Sequence, residues 1–276
     1  MKDSKSLVGH LALITGASSG IGKEYAHQLA ALGAHLILAA RRKDRLQALA
    51  QELTQKYQVK TFIIPVDLAQ PDACKSLFDQ AIALGQPITM LINNAGVGKY
   101  GNFMDFSYED HRATLQINSV APTELTYRFV EHMLAHGKPS YITQVASIAA
   151  FQPVGYFTVY SGTKGYLRYF SETLSFELRS TNVRVLCLCP GGTHTEFFEQ
   201  SGQKITSTGQ SAMMSAKAVV QSGIESMLKG RSVCVPGLLN KLACFLPRLL
   251  PRRLALHLAF MTMNRSVERA QIQLRS

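Results

Sequence analysis

The residues best suited to do chemistry are Tyr160 and Lys164, together with Ser147 thirteen positions upstream of the tyrosine. On a helix, a spacing of four places the phenol and the ammonium on one face, a turn apart. A phenol has a pKa near ~10 in water, and a fixed cation beside it favours the phenolate and lowers that pKa. A serine hydroxyl on a neighbouring strand could then hold a carbonyl oxygen for the tyrosine to protonate. These residue types therefore indicate the acid half of a ketone reduction.

The pair alone is weak evidence, because Tyr-x-x-x-Lys occurs by chance in many helices. There it describes only a half-buried ring beside a solvated lysine. Its weight depends on the elements that position it, and on whether they also provide a site for a hydride donor.

Short apolar strands alternate with amphipathic helices along the chain. The strands are continuous runs rich in Val, Ile and Leu, as expected for a sheet covered on both faces. This alternation predicts the α/β class: a single Rossmann-type, doubly wound parallel sheet of about seven strands in the order 3-2-1-4-5-6-7, with helices on both faces. Predicted strands cover 10–15, 34–39, 58–64, 88–92, 140–145, 183–188 and 231–235, and predicted helices cover 20–32, 43–56, 71–84, 107–135, 158–180 and 215–228.

Composition indicates a globular protein that is long enough for one large α/β domain, with 276 residues, 46% hydrophobic and 17% charged. The first residues are polar and lead into a strand without the apolar core of a signal peptide. No charge-free apolar run reaches the ~18–20 residues of a membrane span. The five cysteines are scattered, and no Cys/His cluster has zinc-ligand spacing. We therefore expect a cytoplasmic protein that needs no metal ion.

The formal charge of +11 is concentrated near the carboxyl terminus. Residues 229–276 hold nine Lys or Arg and one acid, which gives +8 and leaves +3 for the first 228 residues. Net charge is therefore a poor argument for nucleic acid binding, and no nucleic acid partner is expected.

A glycine-rich segment, Thr15-Gly-Ala-Ser-Ser-Gly-Ile-Gly22, lies between the first predicted strand and the first predicted helix. Gly16, Gly20 and Gly22 permit a sharp turn and a close approach of the backbone to a pyrophosphate. The start of the helix offers free N–H groups and the positive end of its dipole to the phosphates. At this place in a strand–helix series, the spacing Gly-x-x-x-Gly-x-Gly predicts a dinucleotide site.

The second predicted strand ends in Ala39-Ala40-Arg41-Arg42, where NAD sites usually carry an acid for the ribose hydroxyl. Arginine instead forms bidentate, charge-assisted contacts with phosphate. Arg41 and Arg42 therefore predict NADP(H), with its 2′-phosphate, rather than NAD. The alternative is that the two arginines merely open a solvated helix.

Two further segments follow predicted strands. Asp67-Leu68 could accept a hydrogen bond from the adenine amino group, although a cap or turn role for Asp67 fits the sequence equally well. In Asn93-Asn-Ala-Gly96, small residues permit close approach to a ribose and the asparagines could bridge neighbouring strands. In isolation this second segment describes a turn.

Taken in order, these motifs resemble the short-chain dehydrogenase/reductase family over roughly residues 8–236. The resemblance implies NADP(H)-dependent reduction of a carbonyl to a secondary alcohol, or the reverse, without a metal. A non-catalytic NADP(H)-binding sensor or scaffold of the same fold is the alternative function. The match comprises the glycine motif 15–22, Asp67, Asn93-Asn-Ala-Gly96, Asn118, Ser147, Tyr160-x-x-x-Lys164 and Pro190-Gly191.

The resemblance also implies roles for the site residues. Tyr160 would be the general acid–base, Ser147 would orient the carbonyl oxygen, and Lys164 would bind the nicotinamide ribose and lower the Tyr160 pKa. Asn118 would hold a water in a relay to Lys164, with a helix kink as a companion role. The expected cofactor contacts are Gly16, Ser18, Ser19, Gly20, Ile21, Gly22, Arg41, Arg42, Asp67, Leu68, Asn94, Ala95, Gly96, Tyr160, Lys164, Pro190, Gly191, Thr193 and Thr195.

The chain departs from the family pattern at Ser19, where many NADP-using relatives carry a basic residue. That departure leaves Arg41 and Arg42 as the main readers of the phosphate. The tail after Val235 is also longer than the minimal pattern and is similar to the tails of a bacterial subgroup with a basic extension.

We therefore expect a dinucleotide-binding and catalytic domain over 1–236, and a basic, apolar extension over 237–276 packed on that domain or on a partner subunit. Pro247 and Pro251 would break any single long helix in the extension. Residues 238–263 fit three roles: a subunit or lid contact, a peripheral membrane surface, or a site for an acidic carrier or phosphate-bearing substrate.

The substrate pocket is predicted between Ser147, Tyr160, the segment 149–157 and the long loop 193–215. That loop has the composition typical of a lid, although an ordinary surface loop with a few anchors would share it. Family members are usually dimers or tetramers packed through the helices that correspond to 107–135 and 158–180, so we expect a homodimer or homotetramer. The residues that favour a small apolar carbonyl or alcohol substrate are Phe151, Val154, Phe157, Phe197 and Phe198.

Overall fold

A seven-stranded parallel sheet forms the centre of the protein, whose computed structural model describes residues 6–266. The strand order is β3-β2-β1-β4-β5-β6-β7, which confirms the predicted doubly wound topology. The strands are β1 (Leu11–Thr15), β2 (His35–Ala40), β3 (Thr61–Pro65), β4 (Met90–Asn93), β5 (Ser140–Val145), β6 (Val183–Leu188) and β7 (Val233–Cys234).

Helices cover both faces of the sheet, because alternate strand residues point to opposite sides and both sets are apolar. The longer helices between β1 and β7 are α1 (Gly20–Ala31), α2 (Lys43–Tyr57), α3 (Ala73–Ile82), α4 (Tyr108–Leu115), α5 (Ala121–His136), α6 (Thr158–Glu177) and α9 (Ala216–Leu228). On β1, Ala12 and Ile14 join the core beneath α1, α2 and α9, whereas Leu11 and Leu13 join the core beneath α3 and α5.

The helix predicted over 107–135 is interrupted by a π-helical turn, Gln116–Val120, between α4 and α5. Pro122 stands at the start of α5 and has no N–H to donate to the carbonyl of Asn118. A wider turn at this point is the expected local response, and such turns often occur at functional sites. The interruption places Asn118 inside the π-helical turn.

The segment predicted as a loop over 193–215 contains two short helices, α7 (Phe197–Gln200) and α8 (Ser207–Ser211). Thr206 caps α8 by accepting a hydrogen bond from the backbone N–H of Gly209. Helices of four and five residues are too short to produce a readable apolar period, which is why the sequence did not predict them.

The tail forms two helices, α10 (Leu238–Phe245) and α11 (Arg252–Ser266), separated by a 3-10 turn at Leu246–Leu249. The break falls at the two prolines, as predicted. α10 packs Asn240 against Gly191, and α11 packs the Phe260 ring 5.1 Å from the Tyr156 ring. No described helix is both long and apolar enough to cross a bilayer. Arg269 and Arg275, which contribute to the tail's positive charge, lie outside the described residues.

Candidate active site

A cavity of about 590 Å³ opens along the carboxyl ends of the strands. This edge of a doubly wound sheet is where ligands bind, and the volume lies within the usual range for ligand clefts. Nearly every cofactor residue predicted from the sequence borders it. The lining residues supplied by the loops after β1 to β6 are Gly16, Ser18, Ser19, Gly20, Ile21, Arg41, Arg42, Asp67, Leu68, Asn94, Ala95, Gly96, Ser147, Pro190, Gly191, Thr193 and Thr195.

Gly22 does not border the cavity but makes the glycine loop possible. A Cβ atom at this position would collide with the backbone carbonyl of Gly16 and the side-chain amide of Asn94. Asn94 donates from Nδ2 to the carbonyl oxygens of Thr15 (2.9 Å) and Gly16 (3.2 Å), and so ties the end of β4 to the loop after β1. The loop is thereby held against the start of α1, where Ser19 is the N-cap residue.

Arg42 lies where the loops after β1 and β2 meet. Its guanidinium donates to the hydroxyls of Ser18 (3.1 Å) and Ser19 (2.9 Å), and it pairs with Glu196 at 3.0 Å. Arg41 borders the same cavity. Sequence reasoning identified both arginines but missed Glu196, which is 154 positions from its partner and belongs to no motif.

The residues after β3 and β4 have structural as well as lining positions. Asp67 Oδ1 accepts a hydrogen bond from the backbone N–H of Ala69 at 3.1 Å, which is the turn role left open by the sequence. Asn93 points away from the cavity, and its Nδ2 donates to Pro122 and Thr126 on α5. Asn94, Ala95 and Gly96 are therefore the part of this motif that faces the cavity.

Tyr160 and Lys164 lie one turn apart on α6, with the ammonium 5.6 Å from the centre of the phenol ring. Lys164 is buried, and its Nζ donates to the Val145 carbonyl at the end of β5 at 2.9 Å. Ser147 follows that strand, and its Oγ accepts a hydrogen bond from the backbone N–H of Ala149 at 3.1 Å. The spacing on α6 and the end of β5 thus bring the three predicted groups to one place.

The expected lowering of the Tyr160 pKa by Lys164 is not what the structure shows. Burial raises the pKa of Tyr160 to about 12, and the Ser147 hydroxyl, as a hydrogen-bond partner, acts in the opposite direction. Burial lowers the pKa of Lys164 from 10.5 to about 8. A low-dielectric site disfavours the charged form of each group, and burial is the largest cause of both shifts.

Asn118 and Lys164 approach the same glycine. A Cβ atom at Gly96 would lie 3.3 Å from Lys164 Nζ and 3.4 Å from Asn118 Oδ1. Asn118 is fully buried, accepting from the N–H of Val97 at 2.9 Å and donating to its carbonyl at 2.8 Å. Asn118 therefore ties the π-helical turn to the loop after β4, next to the lysine that it was predicted to serve.

The other end of the cavity is apolar. Val154, Phe157, Phe197 and Phe198 line it as predicted, and the Phe197 ring lies 5.4 Å from the Tyr160 ring. Phe151 was wrongly included: it packs beneath the Arg168 guanidinium, 3.8 Å from the ring centre, since its side of the turn faces α6.

Two glutamines in this apolar region were missed by sequence reasoning. Gln203 and Gln152 border the cavity, and among the described residues Gln203 Nε2 and Gln152 Oε1 have no hydrogen-bond partner although both atoms are buried. An unpaired buried polar atom is costly, and such atoms cluster at functional sites. Their only sequence signal is a polar residue beside aromatic ones.

The tail completes the wall. Asn240, Ala243 and Ala259 border the cavity, so α10 and α11 line the same cavity as Tyr160 and Lys164 of α6.

The model of the short chain dehydrogenase family matches residues 10–206, which is more than half of the chain and includes the glycine loop and Tyr160. The chain belongs to the short-chain dehydrogenase family. This family consists of nucleotide-binding oxidoreductases, and membership agrees with the order and geometry of the site.

Individual relatives of this short-chain dehydrogenase carry several different names. It is 37% identical over 194 residues to 11-beta-hydroxysteroid dehydrogenase-like 2 of Arabidopsis thaliana, covering 70% of this chain and 62% of that protein. It is 36% identical over 186 residues to the very-long-chain 3-oxoacyl-CoA reductase of Meyerozyma guilliermondii, covering 64% of this chain and 54% of that protein. The matches therefore span less than two thirds of either relative.

A solved short-chain dehydrogenase from Sphingobium yanoikuyae, in complex with NADPH, superposes with a TM-score of 0.78 at 27% identity. The alignment covers 97% of this chain and 100% of that one, so the tail region has a counterpart in a solved structure.

The residues present fit a dinucleotide. The start of α1 carries no acidic residue in its first turn, and two serine hydroxyls and Arg42 surround it. These are donors suited to phosphate oxygens. A buried lysine stands at the opposite end, beside Tyr160 and Gly96. The cavity wall thus includes hydroxyl and guanidinium donors at the start of α1, and the Tyr160 phenol beside the buried Lys164 ammonium.

Proposed function

We propose that this short-chain dehydrogenase reduces a carbonyl compound to a secondary alcohol with NADPH. The observation that carries the proposal is the placement of Tyr160 on the cavity wall, together with Ser147 and next to buried Lys164. The bound dinucleotide supplies the hydride, and the chain supplies the proton and the alignment.

The raised pKa of Tyr160 suits the reductive direction. At neutral pH the phenol keeps its proton and can donate it to a carbonyl oxygen that Ser147 holds by a second hydrogen bond. Lys164 then stabilises the developing phenolate by its positive charge. A purely ligand-binding role would leave this arrangement of Ser147, Tyr160 and Lys164 without a purpose.

NADPH is proposed over NADH because Arg41 and Arg42 border the cavity at the end of β2, and no acidic residue lies at the end of that strand. The NADPH complex of the Sphingobium relative supports the choice. Arginine donors match a phosphate, whereas the ribose hydroxyl of NAD would be met by an acid.

We propose that the substrate is an apolar ketone. The pocket beyond Tyr160 is lined by Val154, Phe157, Phe197 and Ile205, which favour hydrocarbon. Gln203 Nε2 can donate a hydrogen bond to an oxygen remote from the reacting carbonyl.

A screen of NADPH oxidation tests this function. Ketosteroids, 3-oxoacyl thioesters, sugars and small aliphatic or aromatic ketones would be compared with the wild type and with Tyr160→Phe. Removal of a general acid typically costs ~10²–10⁴-fold in rate, so the variant should lose turnover of any responsive ketone while still binding NADPH. Full activity of Tyr160→Phe would contradict the mechanism.

A homo-oligomer is proposed from the exposed aromatic residues of α5 and α6. Tyr127, Tyr169 and Phe176 are 73%, 69% and 66% exposed, and aromatic side chains are enriched at protein–protein interfaces. Light scattering on the purified chain, with Tyr169→Glu and Phe176→Glu as disrupting variants, would measure the change in mass. A monomeric wild type would contradict this assignment.

A cytoplasmic location, with peripheral contact to a membrane through 238–263, is proposed from the cysteines and the tail. Cys74, Cys187, Cys189 and Cys234 are buried and form no disulfide among the described residues, as suits a reducing compartment. On the tail, exposed leucines lie close to basic residues, a combination typical of helices bound at the surface of anionic membranes.

A further inference from the structure

Glu196 is an acidic residue placed among the arginines that would read the phosphate of the cofactor. Its carboxylate pairs with Arg42 at 3.0 Å and with Arg45 at 2.7 Å. Hydrogen bonds from these two guanidiniums lower the Glu196 pKa, so the carboxylate is ionised at neutral pH. Glu196 belongs to none of the sequence motifs described above, and it lies after β6 rather than in the glycine loop.

Arg42 makes four side-chain hydrogen bonds with its neighbours. Its Nε donates to Ser18, one terminal nitrogen donates to Ser18 and Ser19, and the other donates to Glu196. The serines hold the guanidinium at the start of α1, and Glu196 accepts the hydrogen bond that a phosphate oxygen would otherwise accept. A phosphate of charge near −2 beside this carboxylate would also be repelled by it.

We propose that Glu196 competes with the 2′-phosphate of NADP(H) for Arg42, and so sets how strongly the protein prefers NADP(H) over NAD(H). This inference rests on the proposed use of NADPH. The carboxylate is the same kind of ligand as the phosphate, an anion that accepts hydrogen bonds from the arginine. In this proposal, binding of the phosphate displaces Glu196 from Arg42.

Displacement of Glu196 also reaches the substrate end of the cavity. Glu196 immediately precedes α7, whose first residues, Phe197 and Phe198, line the apolar wall. The Phe197 ring packs against Tyr160 at 5.4 Å and against Phe157 at 6.5 Å. The 2′-phosphate at one end of the cavity is thereby coupled to the aromatic wall at the other end.

The first test measures cofactor binding by isothermal titration calorimetry, which needs no turnover. Glu196→Gln keeps the shape of the side chain and removes its charge. We expect the variant to bind NADPH about five-fold more tightly than the wild type, the effect of losing an exposed ion-pair competitor, with less than about two-fold change for NADH. Glu199→Gln, three positions along in α7 and exposed, is the matched control and should change neither affinity.

The second test follows the segment 193–215 by hydrogen–deuterium exchange. In the wild type, NADPH should change exchange in this segment more than NADH does, because only NADPH displaces Glu196. In Glu196→Gln the two cofactors should have the same effect there. An identical effect of both cofactors on the wild type would overturn the coupling.

Arg42→Ala separates failure of this inference from failure of the proposed function. If the double variant Arg41→Ala, Arg42→Ala leaves the affinities for NADPH and NADH unchanged, the proposed use of NADPH is wrong and the inference is wrong with it. If Arg42→Ala selectively weakens NADPH but Glu196→Gln weakens it as well, or tightens both cofactors equally, the inference alone is wrong. Weaker binding by Glu196→Gln would mean that the carboxylate positions Arg42 for the phosphate.

Discussion

Burial keeps the phenol of Tyr160 protonated through the neutral range and weakens the hold of Lys164 on its proton. The tyrosine is therefore in the acid form that reduction requires. The cation that would stabilise the phenolate is lost as the pH rises through about 8, the pKa of Lys164. The pH dependence of the reaction should accordingly report the lysine before the tyrosine.

For reduction of a responsive ketone by NADPH, we expect kcat/KM to be constant near pH 6 and to fall as the pH rises through the Lys164 pKa of about 8. Loss of the Lys164 charge removes stabilisation of the phenolate, whereas Tyr160 keeps its proton up to a pKa of about 12. Steady-state kinetics across this range, with NADPH saturating, measure the profile. A profile that stays flat to pH 10 would contradict a role for the Lys164 charge.

The stability of the fold should not follow the same pH profile as kcat/KM. Between pH 8 and 10.5 the folded protein holds fewer protons at Lys164 than the unfolded chain does, so this lysine makes the protein more stable as the pH rises. Tyr160 acts in the opposite direction only between its unfolded pKa of 10 and its folded pKa of about 12. Thermal unfolding measured at each pH is the control.

At the scale of single elements, the glycine loop after β1 has no space for a side chain at Gly22, whereas α6 has space for one at Gly162. A Cβ atom at Gly22 would collide with Gly16 and Asn94, whereas a Cβ atom at Gly162, between Tyr160 and Lys164, meets nothing within 4 Å. Gly22→Ala should lower the free energy of unfolding by ~1–3 kcal/mol and weaken NADPH binding. Gly162→Ala should raise it by ~0.5–1 kcal/mol, because alanine favours a helix interior.

Urea denaturation of both variants measures the difference. The paired design separates the cost of a blocked close approach from the general effect of replacing glycine by alanine. A Gly22→Ala protein as stable as the wild type would show that the loop can shift, and that Asn94 does not fix it against the backbone.

Elements with a local signature could be predicted from the sequence. The glycine loop, the end of β2 and the pair on α6 each carry their meaning within a few residues, and the structure brings all three to one cavity. The side chains that were missed have no local signature. Glu196 follows β6 in the sequence but pairs with Arg42, which follows β2. Gln203 is identified only by its burial. The raised pKa of Tyr160 could not be predicted either, because burial depends on the whole surrounding fold.

For the molecule as a whole, the exposed face of the tail can be tested with vesicles. Leu239 and Leu249 are 78% and 67% exposed. Lys241, which lies between Leu239 and Leu242 in the sequence of α10, is exposed as well. We expect the full-length protein to float with anionic phospholipid vesicles, to float less with neutral ones, and to lose flotation in the double variant Leu239→Asp, Leu249→Asp.

Met104→Asp, at a site that is 79% exposed and outside the tail, is the control for added negative charge on an apolar position. It should leave flotation unchanged. Equal recovery of the wild-type protein in the floating fraction with anionic vesicles, neutral vesicles and no vesicles would contradict binding to a membrane surface.

The family match ends at residue 206, yet Gly209, Ala212, Met213, Asn240, Ala243 and Ala259 all border the cavity beyond that point. Part of the cavity wall is therefore encoded after the stretch that carries the glycine loop, Ser147, Tyr160 and Lys164. Divergence within the later stretch can reshape this part of the wall while the earlier residues stay unchanged. Two homologues that agree closely over the first 206 positions can therefore differ in the shape of the pocket, through their last 70 residues.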